Sequence, residues 1–156
     1  MFRKFVNFFI MLFVSFTTFI IPCLSLFVLS ISDKVGWANA PGFMLIIVIP
    51  IAAFVSLTVL ILASVAFGLS LKNSAKFKNA IIVIMSVNYG IVALVIVSGF
   101  MLLLGNSYAW KTWLPYGQIL LIGSTFIATA ITGINTYTSK MYEPKKIKEE
   151  VKEETK

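Results

Sequence analysis

WKTWLPYGQILLIGSTFIATAITGINT, residues 110–136, is the stretch that decides the fold. An aromatic lead-in, broken by Pro115, precedes an uncharged apolar run that is long enough to cross a bilayer. At about 100° per residue, its polar side chains fall within an arc of roughly 60° on one helix face. We call these residues the threonine stripe: Gln118, Thr125, Thr129, Thr132 and Thr136. Because a hydroxyl or amide in hydrocarbon requires a partner, we expect the stripe to face protein or water, with the other helices packed around it.

The distribution of charge predicts four membrane spans. The chain is 59% hydrophobic with a mean hydropathy of +0.96, which excludes an ordinary soluble domain. Charged residues are absent from 5–32, 35–71, 79–110 and 112–139. We therefore predict an all-α membrane protein in which residues 1–142 form four transmembrane helices, at about 5–31, 43–71, 80–104 and 114–137, in an antiparallel up-down bundle. A cleaved signal peptide is the alternative for the first run, but that run is longer than a signal sequence requires.

Basic residues predict the orientation of these spans. Of the 13 lysines and arginines, all but Lys34 and Lys111 flank the N-terminus, the middle loop or the C-terminus. By the positive-inside rule, both termini are expected in the cytoplasm, with the protein in the plasma (inner) membrane. Three tryptophans in the outer loops are expected to anchor the protein at the membrane–water interface: Trp37, Trp110 and Trp113. Residues 143–156 are expected to form a charged cytoplasmic tail, disordered or a frayed helix.

Other residues predict kinks and helix contacts inside the bundle. Pro22 and Pro50 each remove a helix hydrogen bond and are expected to kink the first and second spans. Ser86 and Tyr89 lie on one face of the third span, where they can meet the threonine stripe. Asn88 points to the opposite side, and counting from the span ends places it level with Ser64 of the second span. These residues are candidates for helix packing or for a solute path.

The sequence contains no recognisable set of catalytic residues. It has no histidine, no carboxylate within a span and a single cysteine, Cys23, so it lacks the usual catalytic and metal-binding combinations. We expect no enzyme activity, no cofactor and no metal. The net charge of +7 belongs to the span ends and does not indicate nucleic acid.

Two functions fit this pattern. The first is a non-catalytic membrane protein that acts by helix packing, as an accessory or assembly subunit or a partner-binding protein. Its partners would be the lipid bilayer and other membrane-protein subunits or further copies of the chain. The second is a small transport or channel protein in which the threonine stripe lines a path for a neutral or weakly selected solute. Holin-like and toxin-immunity proteins share the size and span number, but no motif in the sequence tests that assignment.

Overall fold

The structure, a computed structural model, describes residues 2–30, 41–72, 75–104 and 113–138. These residues form four long helices: α1 Phe2–Ser30, α2 Pro41–Leu71, α3 Lys78–Leu104 and α4 Leu114–Thr138. A single 3-10 turn, Ala75–Phe77, leads into α3. The predicted tail at 143–156, Trp37 and Trp110 lie outside the described residues.

All four helices are long and apolar enough to cross a membrane. The shortest, α4, has 25 residues. At 1.5 Å per residue it is about 37 Å long, which exceeds the roughly 30 Å of hydrocarbon in a bilayer. The chain is therefore all-helical in its described part, with four candidate membrane spans.

The helices extend beyond the predicted spans where basic residues precede the apolar run. α1 begins at Phe2 and α3 at Lys78, whereas the charge pattern placed their starts at about residues 5 and 80. Arginine and lysine have high helix propensity, so a helix continues past the point at which its side chains become too polar for hydrocarbon. Pro22 and Pro50 lie inside continuous helices, and the kinks predicted there stay predictions.

Buried residues recur along the helices at spacings of mostly three and four. This is the spacing of knobs-into-holes packing between helices that cross at small angles. In α1 the buried positions include Asn7, Met11, Val14, Thr18, Ile21 and Ser25. In α3 they are Ile81, Met85, Asn88, Val92, Val95, Gly99 and Leu103.

The centre of the bundle is the pair α1 and α3, not α4. Each of these two helices packs against all three others, while α2 and α4 make little or no contact with each other. We expected all the other helices to surround the threonine stripe of α4. Instead, α4 packs mainly on α1 and α3. The reason is that α4 buries one narrow face, whereas α1 meets helices on several sides.

The bundle has a partly polar interior and an apolar surface. Serine, threonine, asparagine and glutamine are prominent among its buried residues. On the outside, each helix exposes large apolar side chains: Phe9 of α1 is 63% exposed, Phe54 of α2 72%, Leu94 of α3 73% and Leu120 of α4 75%. A surface of this kind suits hydrocarbon and not water.

All charged side chains in the described part of the chain lie at one end of the bundle. Lys4 Nζ donates a hydrogen bond to the Ser70 carbonyl, so the start of α1 lies beside the end of α2. The Phe8 and Phe67 rings stack at 4.7 Å between centroids near the same end. We call this the basic end, and its members are Arg3, Lys4, Lys72, Lys76 and Lys78.

Candidate functional site

The threonine stripe faces the interior of the bundle. Gln118, Thr125 and Thr132 are completely buried, Thr136 is nearly so and Thr129 is half-buried. On the other side of α4, Ile119, Ile127 and Ile134 are exposed. The stripe therefore lies against α1 and α3, and the isoleucines form the surface.

Each threonine of the stripe hydrogen-bonds to its own helix. Thr125 Oγ1 donates to the Leu121 carbonyl at 2.7 Å, and Thr129 Oγ1 donates to the Thr125 carbonyl at 2.7 Å. Thr132 and Thr136 donate to the carbonyls of Thr129 and Thr132, at 2.9 and 2.8 Å. A threonine that bonds back in this way requires no water and no partner on another helix.

Gln118 joins three helices at the end of the bundle away from the basic residues. Its Nε2 donates to Ser25 Oγ of α1 at 2.6 Å and to the Gly99 carbonyl of α3 at 3.2 Å. Ser25 Oγ in turn donates to the Ile21 carbonyl at 2.8 Å. The Gln118 Oε1 atom is buried and accepts no hydrogen bond from the described part of the protein.

Gly99 permits α1 and α3 to approach each other closely at the level of Gln118, because a larger residue would not fit there. A Cβ atom at position 99 would lie 2.5 Å from Ile21 Cγ2 and 3.5 Å from Ile122 Cδ1. Ile21 is itself completely buried. The close approach of α1 and α3 therefore depends on glycine at this position.

Asn88 lies in the middle of the larger apolar cluster. It is completely buried, and its Nδ2 donates to the Val59 carbonyl of α2 at 3.2 Å. Its Oδ1 is buried and accepts no hydrogen bond within the described ranges of the chain. The structure does not bring Asn88 to Ser64, which is exposed and donates to the Leu60 carbonyl of its own helix. Asn88 therefore reaches α2, as helical phase predicted, but its partner is the Val59 carbonyl and not Ser64. The two residues are five positions apart on α2, so Ser64 lies on a different face of that helix from Val59.

The Tyr89 side of α3 meets the stripe. Tyr89 Oη lies 2.8 Å from Thr136 Oγ1. Because the Thr136 hydroxyl already donates to the Thr132 carbonyl, Tyr89 is the donor in this bond. Ser86 is exposed, donates to the Ile82 carbonyl and accepts from the Tyr137 hydroxyl. The two tyrosines thus tie α3 to α4 near the basic end.

The polar face of α1 was not predicted from the sequence. Five polar residues of α1 are buried: Asn7, Ser15, Thr17, Thr18 and Ser25. Ser15 and Ser56 of α2 exchange hydrogen bonds, each hydroxyl donating to the other residue's carbonyl, at 2.8 and 2.7 Å. Three of these residues, Asn7, Thr18 and Ser25, share one helix face with the buried apolar residues Met11, Val14 and Ile21, at alternating spacings of four and three that the many phenylalanines of α1 obscure.

Two further observations bear on function. Among the described residues, no group of three or more histidine, cysteine, aspartate or glutamate side chains is placed to hold a metal ion. Trp113, the one predicted interface anchor within the described part, lies just before α4 and is 76% exposed. The exposed indole suits the boundary between headgroups and hydrocarbon.

Comparison with known proteins gives no relative. The chain matches no protein-family model, no curated protein and no solved structure.

Proposed function

We propose that this protein is a non-catalytic, multi-pass protein of the plasma membrane that acts by helix packing, as an accessory or assembly subunit or as a partner-binding protein. In this proposal the four helices form an antiparallel up-down bundle with both termini in the cytoplasm. The main support for this proposal comes from the threonine stripe. Its hydroxyls donate hydrogen bonds to carbonyls of their own helix, within an interface closed by α1 and α3. Groups satisfied in this way stabilise a helix interface and leave few polar atoms to attract a solute.

The interior also supplies the rigidity that a scaffold of this kind needs. Contacts through Gln118, through Asn88 and between Ser15 and Ser56 connect neighbouring helices by hydrogen bonds. Such bonds in a membrane interior are individually modest, at about 0.6 kcal/mol on average, but they select one packing register over others. A bundle held in one register presents a constant apolar surface to a partner.

Site-specific photo-crosslinking tests this proposal. A photoreactive amino acid replaces one exposed residue in each helix: Phe9, Phe54, Leu94 or Leu120. In native membranes we expect discrete protein adducts from one or two neighbouring helices and only lipid adducts from the rest, because a partner covers one side of the bundle.

The purified protein, reconstituted alone into liposomes, provides the control. Adducts seen in both preparations report contacts between copies of the chain, and adducts seen only in native membranes report a different subunit. Lipid adducts alone at all four positions in native membranes would contradict the packing function.

A transport or channel function is the second candidate, and one observation favours it. Asn88 Oδ1 and Gln118 Oε1 are both buried, and no donor among the described residues reaches either atom. Buried amide oxygens of this kind are commonly satisfied by water, and a hydrated interior is what a solute path requires. A flux measurement on variants of the threonine stripe, described at the end of the Discussion, separates the two functions.

A further inference from the structure

Two apolar grooves flank α4 on the surface of the bundle. The larger, between α1 and α4, has a volume of about 570 Å³, and we call it the α1/α4 groove. Residues that line it include Val6, Phe9, Phe13, Ser124, Ile127 and Ile131. The smaller, of about 330 Å³, lies between α3 and α4, and its lining includes Val97, Phe100, Met101, Ile119, Gly123 and Phe126. Both volumes fall in the range of small-molecule sites, and both linings suit hydrocarbon.

Of these two grooves, the α1/α4 groove is the one lined by residues near the start of α1, which begins at the basic end. Arg3 precedes Val6 by three residues and Ile10 by seven, so all three lie on one face of α1, and both Val6 and Ile10 line the groove. Arg3 is exposed and lies about one turn of α1 before Val6, the lining residue nearest the start of that helix. The α3/α4 groove includes residues near the far end of α3, and none of its lining residues belongs to the first turns of a helix that begins at the basic end.

We propose that the α1/α4 groove binds an acyl chain of an anionic phospholipid whose phosphate pairs with Arg3. Hydrocarbon fits the groove because its one lining hydroxyl, Ser124 Oγ, already donates to the Leu121 carbonyl at 2.9 Å. A guanidinium binds phosphate through two parallel N–H groups.

The charge at the basic end selects an anionic headgroup over a zwitterionic one. Arg3 has Lys4 beside it, and Lys72, Lys76 and Lys78 lie at the same end, while the described part of the chain contains no aspartate or glutamate. Clusters of basic residues next to membrane spans attract anionic lipids by about 1 kcal/mol per cation. A choline headgroup brings its own positive charge and gains less from this cluster. The lipid site is independent of whether the protein also binds a subunit.

Native mass spectrometry of the full chain tests this site. The protein is delipidated in detergent and then titrated with phosphatidylglycerol or with phosphatidylcholine of the same acyl chains. We expect one retained phosphatidylglycerol and weaker binding of phosphatidylcholine. Arg3→Gln should weaken phosphatidylglycerol binding about fivefold, the factor that corresponds to loss of one interfacial cation.

Adjacent residues of α4 provide a matched pair of groove variants. Ser124→Phe fills the α1/α4 groove and should abolish the adduct. Gly123→Phe places the same ring in the α3/α4 groove, where the first added atom meets nothing within 4 Å, and should leave binding unchanged.

Equal binding of the two lipids, or binding that survives both Arg3→Gln and Ser124→Phe, would overturn the proposal. Loss of binding in Gly123→Phe to the same extent as in Ser124→Phe would also overturn it, because the α1/α4 groove would then have no special role. Size-exclusion profiles verify that each variant is folded. If Ser124→Phe does not fold, Arg3→Gln decides the result, because Arg3 is exposed at the end of α1.

Discussion

Gly99→Ala is expected to destabilise the bundle, because the added methyl group has no room between α1 and α3. Its Cβ would lie 2.5 Å from Ile21 Cγ2, a distance at which one of the two atoms must move. Ile21 is completely buried and belongs to a cluster with Val95 and Ile122, so it cannot turn away into lipid. A movement of α3 would also displace the Gly99 carbonyl, which accepts a hydrogen bond from Gln118.

The size of the effect follows from two opposing contributions. Overpacking a filled interior costs about 1 to 3 kcal/mol. Replacing glycine by alanine within a helix returns up to about 1 kcal/mol through helix propensity. With about 1 kcal/mol returned, we expect a net loss of about 0 to 2 kcal/mol in the free energy of unfolding relative to the wild type. Gly90→Ala in the same helix is the control, since a Cβ there meets nothing within 4 Å and the change should be neutral or stabilising.

Equilibrium unfolding in mixed detergent micelles, followed by circular dichroism, measures these differences. A double-mutant cycle with Ile21→Ala identifies the cause: once the Ile21 methyl groups are absent, Gly99→Ala should cost nothing. If Gly99→Ala is as stable as Gly90→Ala, or if Ile21→Ala gives no relief, the close packing of α1 and α3 at this level is wrong.

Two further predictions concern the middle of the bundle and its orientation. Asn88→Leu removes the bond to the Val59 carbonyl and should weaken the association of α3 with α2 by no more than about 2 kcal/mol, without blocking membrane insertion. Unchanged thermal stability in detergent would mean that the amide contributes nothing. In a variant without Cys23, Ser107→Cys should react with an impermeant thiol reagent in intact cells, whereas Ser74→Cys should not. The reverse labelling pattern would contradict the proposed orientation.

The number of helices and their approximate limits follow directly from the sequence, because charge is expensive in hydrocarbon and each uncharged run is long enough to span a bilayer. The cost of a polar group in hydrocarbon also identified the buried face of α4. Five polar side chains at helical spacing in an apolar run are expected to face protein or water and not lipid. Helical phase also predicted that Tyr89 and Asn88 lie on opposite sides of α3. In the structure Tyr89 bonds to Thr136 of α4, and Asn88 bonds to the Val59 carbonyl of α2.

What the sequence could not supply is the relative placement of the helices. Residue counting suggested Ser64 as the neighbour of Asn88 on α2, whereas the bond is to the Val59 carbonyl, because counting ignores how each helix is shifted and rotated about its axis. The buried polar face of α1 escaped notice because phenylalanine dominates that helix, and exposed phenylalanines say nothing about which positions are buried. The contact between Gly99 and Ile21 joins residues far apart in the chain, and only the packed structure brings them together.

The central claim is that the threonine stripe is a packed interface and not a solute path. The most direct measurement is solute and ion flux in proteoliposomes containing the wild-type protein or the triple variant Thr125→Val, Thr129→Val and Thr132→Val, with a stability assay on both. Because these hydroxyls bond only to their own helix, the triple variant should lose no more than about 2 kcal/mol of stability, and neither protein should pass solute faster than empty liposomes. Wild-type flux that the valines abolish while the bundle remains folded would contradict the account, because only a hydrated path closes when its hydroxyls are removed.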